Sequence, residues 1–136
     1  MLQFYFLAVL LNFLTGMLFV FADDKSKEET FTEQATFFYN KTFRLTVGIL
    51  ACITGIFKIL SPIRGDAAVV GDLIPALGAL CGGFCLLLDY YSQNTTMPFS
   101  ANPTVEKIFI TGRRYLGIAI LASALLHFLF PTVLFL

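Results

Sequence analysis

LQFYFLAVLLNFLTGMLFVF, residues 2–21, contains no charged side chain. At 1.5 Å of rise per residue a helix of this length reaches about 30 Å, the thickness of a bilayer's hydrocarbon core, so the stretch predicts a membrane-spanning helix. A signal peptide is the competing reading, because Val20-Phe21-Ala22 before Asp23 resembles a small-residue cleavage site. The run lacks a basic leader and is longer than a usual signal core, which favours a retained helix.

Three further apolar runs follow, at residues 43–60, 67–91 and 115–136, joined by loops at 22–42, 61–66 and 92–114. Only 13% of the chain is charged and 57% is hydrophobic, against about 25% charged in a soluble domain. The loops total about fifty residues, too few for a separate soluble core. The expected fold is therefore all-α: a polytopic integral membrane protein, one domain over residues 1–136, with four transmembrane helices in a bundle.

The linker before the second run carries helix-start signals. Ser26 with Glu29, and Thr30 with Glu33, are capping-box pairs. Phe31, Ala35, Phe38 and Thr42 then recur on one helical face. No Gly or Pro interrupts the segment, which favours a helical extension running unbroken into residues 43–60 over a separate helix lying on the membrane. The SPIRGD turn at 61–66 is short enough to force an antiparallel hairpin.

The nine cations place the loops. Lys25, Lys27, Lys41, Arg44, Lys107, Arg113 and Arg114 flank the first and third loops, and only Lys58 and Arg64 flank the hairpin side. The positive-inside rule then puts loops 22–42 and 92–114 in the cytoplasm and both termini outside it. Nine anions balance the nine cations, so no net field recommends nucleic acid as a partner.

Ionisable groups at membrane depth are costly and mark candidate sites. Lys58, Asp72 and His127 all fall towards the hairpin end of their spans, with Asn12 midway along the first. Together they form a candidate intramembrane polar cluster able to handle a proton or ligand. The plainer alternative has Lys58 reaching the headgroups on its long stem, Asp72 pairing with Lys58 or Arg64, and His127 bonded to backbone. At the opposite face Arg44, Asp89, Arg113 and Arg114 make a candidate interfacial ion pair or lipid-headgroup site.

Every helix also carries a small-residue stripe suited to close packing. Gly78 and Gly82 form a GxxxG step, extended by Gly71 and Cys85. The second helix offers Gly48, Cys52 and Gly55, the fourth Ala119 and Ser123, and the first Ala8, Asn12 and Gly16. No Walker loop, dinucleotide fingerprint, zinc-ligand spacing or nucleophile elbow occurs, and one His without a partner His or Cys argues against a metal site. No cofactor is expected. FRLTVGILACITGIFKIL, residues 43–60, with Arg44, Gly48, Gly55 and Lys58, resembles the opening helix of DoxX-like four-helix membrane proteins. The resemblance implies a membrane bundle and no particular activity, and here the helix is second.

These readings lead first to a non-enzymatic accessory or scaffold subunit of a larger membrane complex, acting through helix packing and through docking by the cytoplasmic segments 26–42 and 92–112, and packed against lipids and against other subunits or a second copy of itself. A small oligomeric transporter or proton-linked module using the Lys58, Asp72 and His127 cluster is the alternative, and a DoxX-like protein of unassigned activity the third.

Overall fold

In the computed structural model, residues 2–21, 36–60, 73–96 and 103–130 are described. Unbroken apolar sequence gives the long helices: α1 (Leu2–Phe21), α3 (Lys41–Leu60) and α4 (Leu73–Asn94). A single turn, α2 (Thr36–Tyr39), precedes α3, and a short α5 (Pro103–Glu106) and a π-helical turn (Lys107–Thr111) lead into α6 (Arg113–Leu129). All elements among the described residues are helical. Three helices, Gln3–Phe21, Lys41–Leu60 and Leu73–Asn94, are long and apolar enough to cross a membrane.

Two boundaries differ from expectation. The helix before residue 43 is not continuous: Asn40 leaves the helical path between α2 and α3. Its Oδ1 accepts from the Thr42 backbone N–H at 2.9 Å while its carbonyl accepts from the Arg44 N–H at 3.1 Å. An Asx side chain can thus start a new helix where neither Gly nor Pro stands. The expected start near Ser26 lies outside the described residues. In the third loop, α4 runs on to Asn94 and helix resumes at Pro103, a residue suited to a first turn because it has no N–H to leave unpaired. Gly112 donates to the Lys107 carbonyl at 2.8 Å, five residues back, which widens this approach into a π turn just before Arg113.

The helices pair as α3 with α4 and α1 with α6, with smaller contacts joining α1 to α3 and α4, and α4 to α6. Both main pairs are antiparallel, since Arg44 meets Asp89 while Gly55 lies against Ala76, and Tyr5 meets His127 while Gly16 lies against Gly117. Glycine permits the approach. A Cβ on Gly83 would stand 2.8 Å from the Gly48 carbonyl, and one on Gly16 would stand 3.0 Å from the Gly117 carbonyl.

The bundle turns its small and polar side chains inward together with a few large apolar ones, and most of its large apolar side chains outward. On α1, Ala8, Leu11, Asn12, Thr15, Leu18 and Phe19 are buried, while Phe4, Phe6, Leu10, Phe13 and Phe21 are exposed. This inversion of a soluble helix suits a surface that meets hydrocarbon, where packing rather than water exclusion holds helices together.

Candidate functional site

The inner stripe of α3 is Arg44, Gly48, Ala51, Gly55 and Lys58, spaced four, three, four and three residues, so one face carries a cation at each end and small residues between. The four residues behind the DoxX-like resemblance all lie on it. The two cations, about 21 Å apart along the axis, build two different centres.

At the hairpin end Lys58 Nζ lies 3.0 Å from His127 Nε2, across the diagonal between α3 and α6. His127 is fully buried and Lys58 is 7% exposed. Tyr5 completes the centre from α1. Its ring stands 4.7 Å from the imidazole and 5.3 Å from Lys58 Nζ, and its hydroxyl donates to the His127 carbonyl at 2.7 Å. That carbonyl needs an outside donor for a reason visible in the sequence: the residue four positions on is Pro131, which has no N–H. An amine and an imidazole this close form a hydrogen bond when one nitrogen donates and the other accepts, as when a lysine Nζ–H meets the lone pair of an imidazole Nε2.

At the other end Asp89 sits between two arginines. Arg113 Nη1 donates to Oδ1 at 2.8 Å and its Nη2 donates to Oδ2, a bidentate fork, while Arg44 Nη2 reaches Oδ2 at 3.2 Å. The Arg113 guanidinium also lies over the Phe19 ring, 4.8 Å from its centre. α3, α4 and α6 are thereby tied by charge and α1 by a cation–π contact.

Of the residues singled out in the sequence, Lys58 and His127 come together, as do Arg44, Asp89 and Arg113. Arg114 is exposed and outside this ion-paired group. Asn12 is buried but does not join Lys58 and His127. It lies about 10 Å deeper, seven residues on from Tyr5, and its Nδ2 donates to the Pro75 carbonyl at 2.9 Å. Asp72 and Gly71 lie outside the described residues. Gly48 packs against Leu86 and Gly83 of α4 and Gly55 against Leu80 and Ala76, so the GxxxG pair is the counterpart of neither; Gly82 instead admits Thr15, and Gly78 faces Asn12. On α6 the inward residues include Gly117 and Ser123, whereas Ala119 is exposed.

Tyr5 and Gly117 escaped the sequence reading. A Tyr near the end of an apolar run reads as an interfacial anchor, and a lone Gly has no partner at helical spacing. The Pro at 131 was the available signal, since it predicts an orphan carbonyl at 127.

No solved structure matches this chain. A protein-family model matches residues 1–127. An uncharacterized protein of Treponema pallidum (strain Nichols) is 34% identical over 136 residues, covering 100% of both chains. By that full-length likeness, the chain belongs to one family with the Treponema pallidum protein.

Proposed function

We propose that the protein is a four-span membrane protein that moves protons, with Lys58 and His127 as the proton-holding pair and Tyr5 as the residue that positions His127. The fourth span in this reading is α6. Its 17 residues give about 26 Å, and the apolar sequence continues through residues 130–136.

The observation that carries the reading is the 3.0 Å contact between Lys58 Nζ and His127 Nε2 inside an apolar bundle. Packing alone would be served at lower cost by two hydrocarbon side chains, because an amine at membrane depth costs a few kcal/mol even after it finds company. The contact gives a proton two nitrogens to be handed between. A site of that kind handles charge without covalent chemistry, which favours transport over catalysis.

The accessory-subunit reading combines helix packing with docking by the 22–42 and 92–114 loops; of these, the small-residue stripes of α1, α3 and α4 are occupied within the chain by Gly117, Gly83 and Thr15. The outward faces carry Phe6, Leu60 and Leu129, side chains suited to lipid.

The test is proton flux in vesicles holding the purified chain and a pH-sensitive dye. The intact protein is expected to dissipate an imposed pH gradient, and Lys58→Met and His127→Leu are each expected to fall to the rate of protein-free vesicles. Equal rates for the intact protein and both variants would overturn the proposal.

A further inference from the structure

Between the two centres lie three buried oxygens without a protein partner: Asn12 Oδ1, Thr15 Oγ1 and Ser123 Oγ. Asn12 and Thr15 are fully buried and Ser123 is 7% exposed. The orientation of the Asn12 amide is fixed by chemistry, because the atom facing the Pro75 carbonyl must be the donor Nδ2. Its Oδ1 can only accept, so the missing partner is a proton donor. In a polar recess a buried acceptor of this kind is ordinarily met by water, whereas apolar cavities stay dry.

The helix register sets these oxygens at regular heights. Taking His127 as the origin, Ser123 stands about 6 Å along the axis, Asn12 about 10 Å, Thr15 about 15 Å and Arg113 about 21 Å. The two inner steps, Ser123 to Asn12 and Asn12 to Thr15, are each within the reach of one water making two hydrogen bonds of about 2.8 Å, and the two outer steps each take two waters. Packing is less tight beside Asn12 than at the other inward glycines. At Gly78 the position of a Cβ has no neighbour nearer than 3.7 Å, and Asn12 Oδ1 is among the nearest; at Gly16, Gly48, Gly55, Gly82, Gly83 and Gly117 that position is 3.0 Å or less from another atom.

We infer that the bundle interior is hydrated: water bridges Ser123, Asn12 and Thr15 in a file that starts at His127 and ends beneath the Arg44, Asp89 and Arg113 clamp. The file rests on the proton-moving reading only for its cargo. Asn12 Oδ1 only accepts and so anchors the waters, while the waters and the Ser123 and Thr15 hydroxyls each accept one proton and release another, so charge passes along the file without net loss or gain of water.

Water-edited solid-state NMR of the full chain in lipid vesicles tests this directly. Magnetisation from water is expected to reach the Asn12, Thr15 and Ser123 side chains at rates close to that of exposed Asn94, and faster than it reaches the buried Leu18 and Phe19. Gly78→Ala, which puts a methyl beside Asn12, is expected to slow transfer to Asn12. Transfer to Asn12 and Thr15 as slow as to Leu18 would overturn the file, even if vesicles conduct protons. Fast transfer in a chain that conducts no protons would support the file and overturn the proton-moving reading instead.

Discussion

At the Asp89 end of the bundle two guanidiniums converge on one carboxylate, and at the Lys58 end an amine faces an imidazole. Both centres are buried or nearly so, the Lys58 centre joins three helices and the Asp89 centre four, and both use cations that the sequence sets on a single face of α3. Their chemistry differs. Arginine does not release its proton, and a bidentate fork fixes the partner's position, so the Asp89 centre behaves as a lock. Lysine and histidine can exchange one, so the Lys58 centre has a movable part. In the proposed reading the molecule separates holding the helices together from handling a proton, and puts the two tasks at opposite ends.

The largest effect that would break this comparison comes from Asp89→Asn. The amide keeps the shape but removes the charge, leaving two largely buried guanidiniums to repel each other. The expected loss is about 3 kcal/mol of stability, since removing one partner of a buried ionic group leaves the rest uncompensated. A thermal unfolding curve in detergent would show it. Adding Arg113→Met to Asp89→Asn should recover part of the loss, and if it deepened the loss instead, charge would not be what holds this end.

The interface between the two ends supplies the next effect. Gly83→Ala would drive a methyl to 2.7 Å from Cys52 Sγ and 2.8 Å from the Gly48 carbonyl. Forcing α3 from α4 should cost about 2 kcal/mol. Gly78→Ala meets nothing nearer than 3.7 Å and should be close to neutral by the same unfolding measurement. Equal losses would mean that the two glycines do not divide between a tight helix contact and an ordinary one.

The three long helices were legible in the sequence because length and apolarity alone specify them, and the Asp89 centre because charges at span ends have few places to go. The partners within the bundle were not. Asn12 and His127 fall on inward faces, but nothing in a single helix says that α1 runs beside α6 at a register that puts Tyr5 by His127 and leaves Asn12 two turns deeper. That register is set by Gly16 against Gly117, a contact between residues at opposite ends of the chain. The break at Asn40 was missed for a different reason: Gly and Pro stop helices through backbone conformation, whereas Asn40 starts one by offering its side chain to the N–H of Thr42.

Lys58→Met sharpens the comparison from the other side. It removes one hydrogen bond to His127 and keeps most of the side-chain volume, so the stability change should be about 1 kcal/mol, well below that of Asp89→Asn. Proton flux, in contrast, should disappear. A variant that conducts normally but unfolds early would make the Lys58 centre a second lock.

The smallest expected effect is at Asn40, which caps α3 four residues before Arg44. Asn40→Ala removes the side-chain acceptor for the Thr42 N–H, and because the site is exposed, water can replace it; the expected loss is about 0.5 kcal/mol. The first turn of α3 should fray, which faster backbone hydrogen exchange at Thr42 would report, with Arg44 loosened on Asp89 as a result. The effect should stop there. Lys58 lies four turns away and draws its position from His127 and Tyr5, so proton flux should stay at the level of the unaltered chain. A loss of flux in Asn40→Ala would show that tension at the Asp89 lock is felt at the Lys58 centre, and would turn two separate ends into one coupled device.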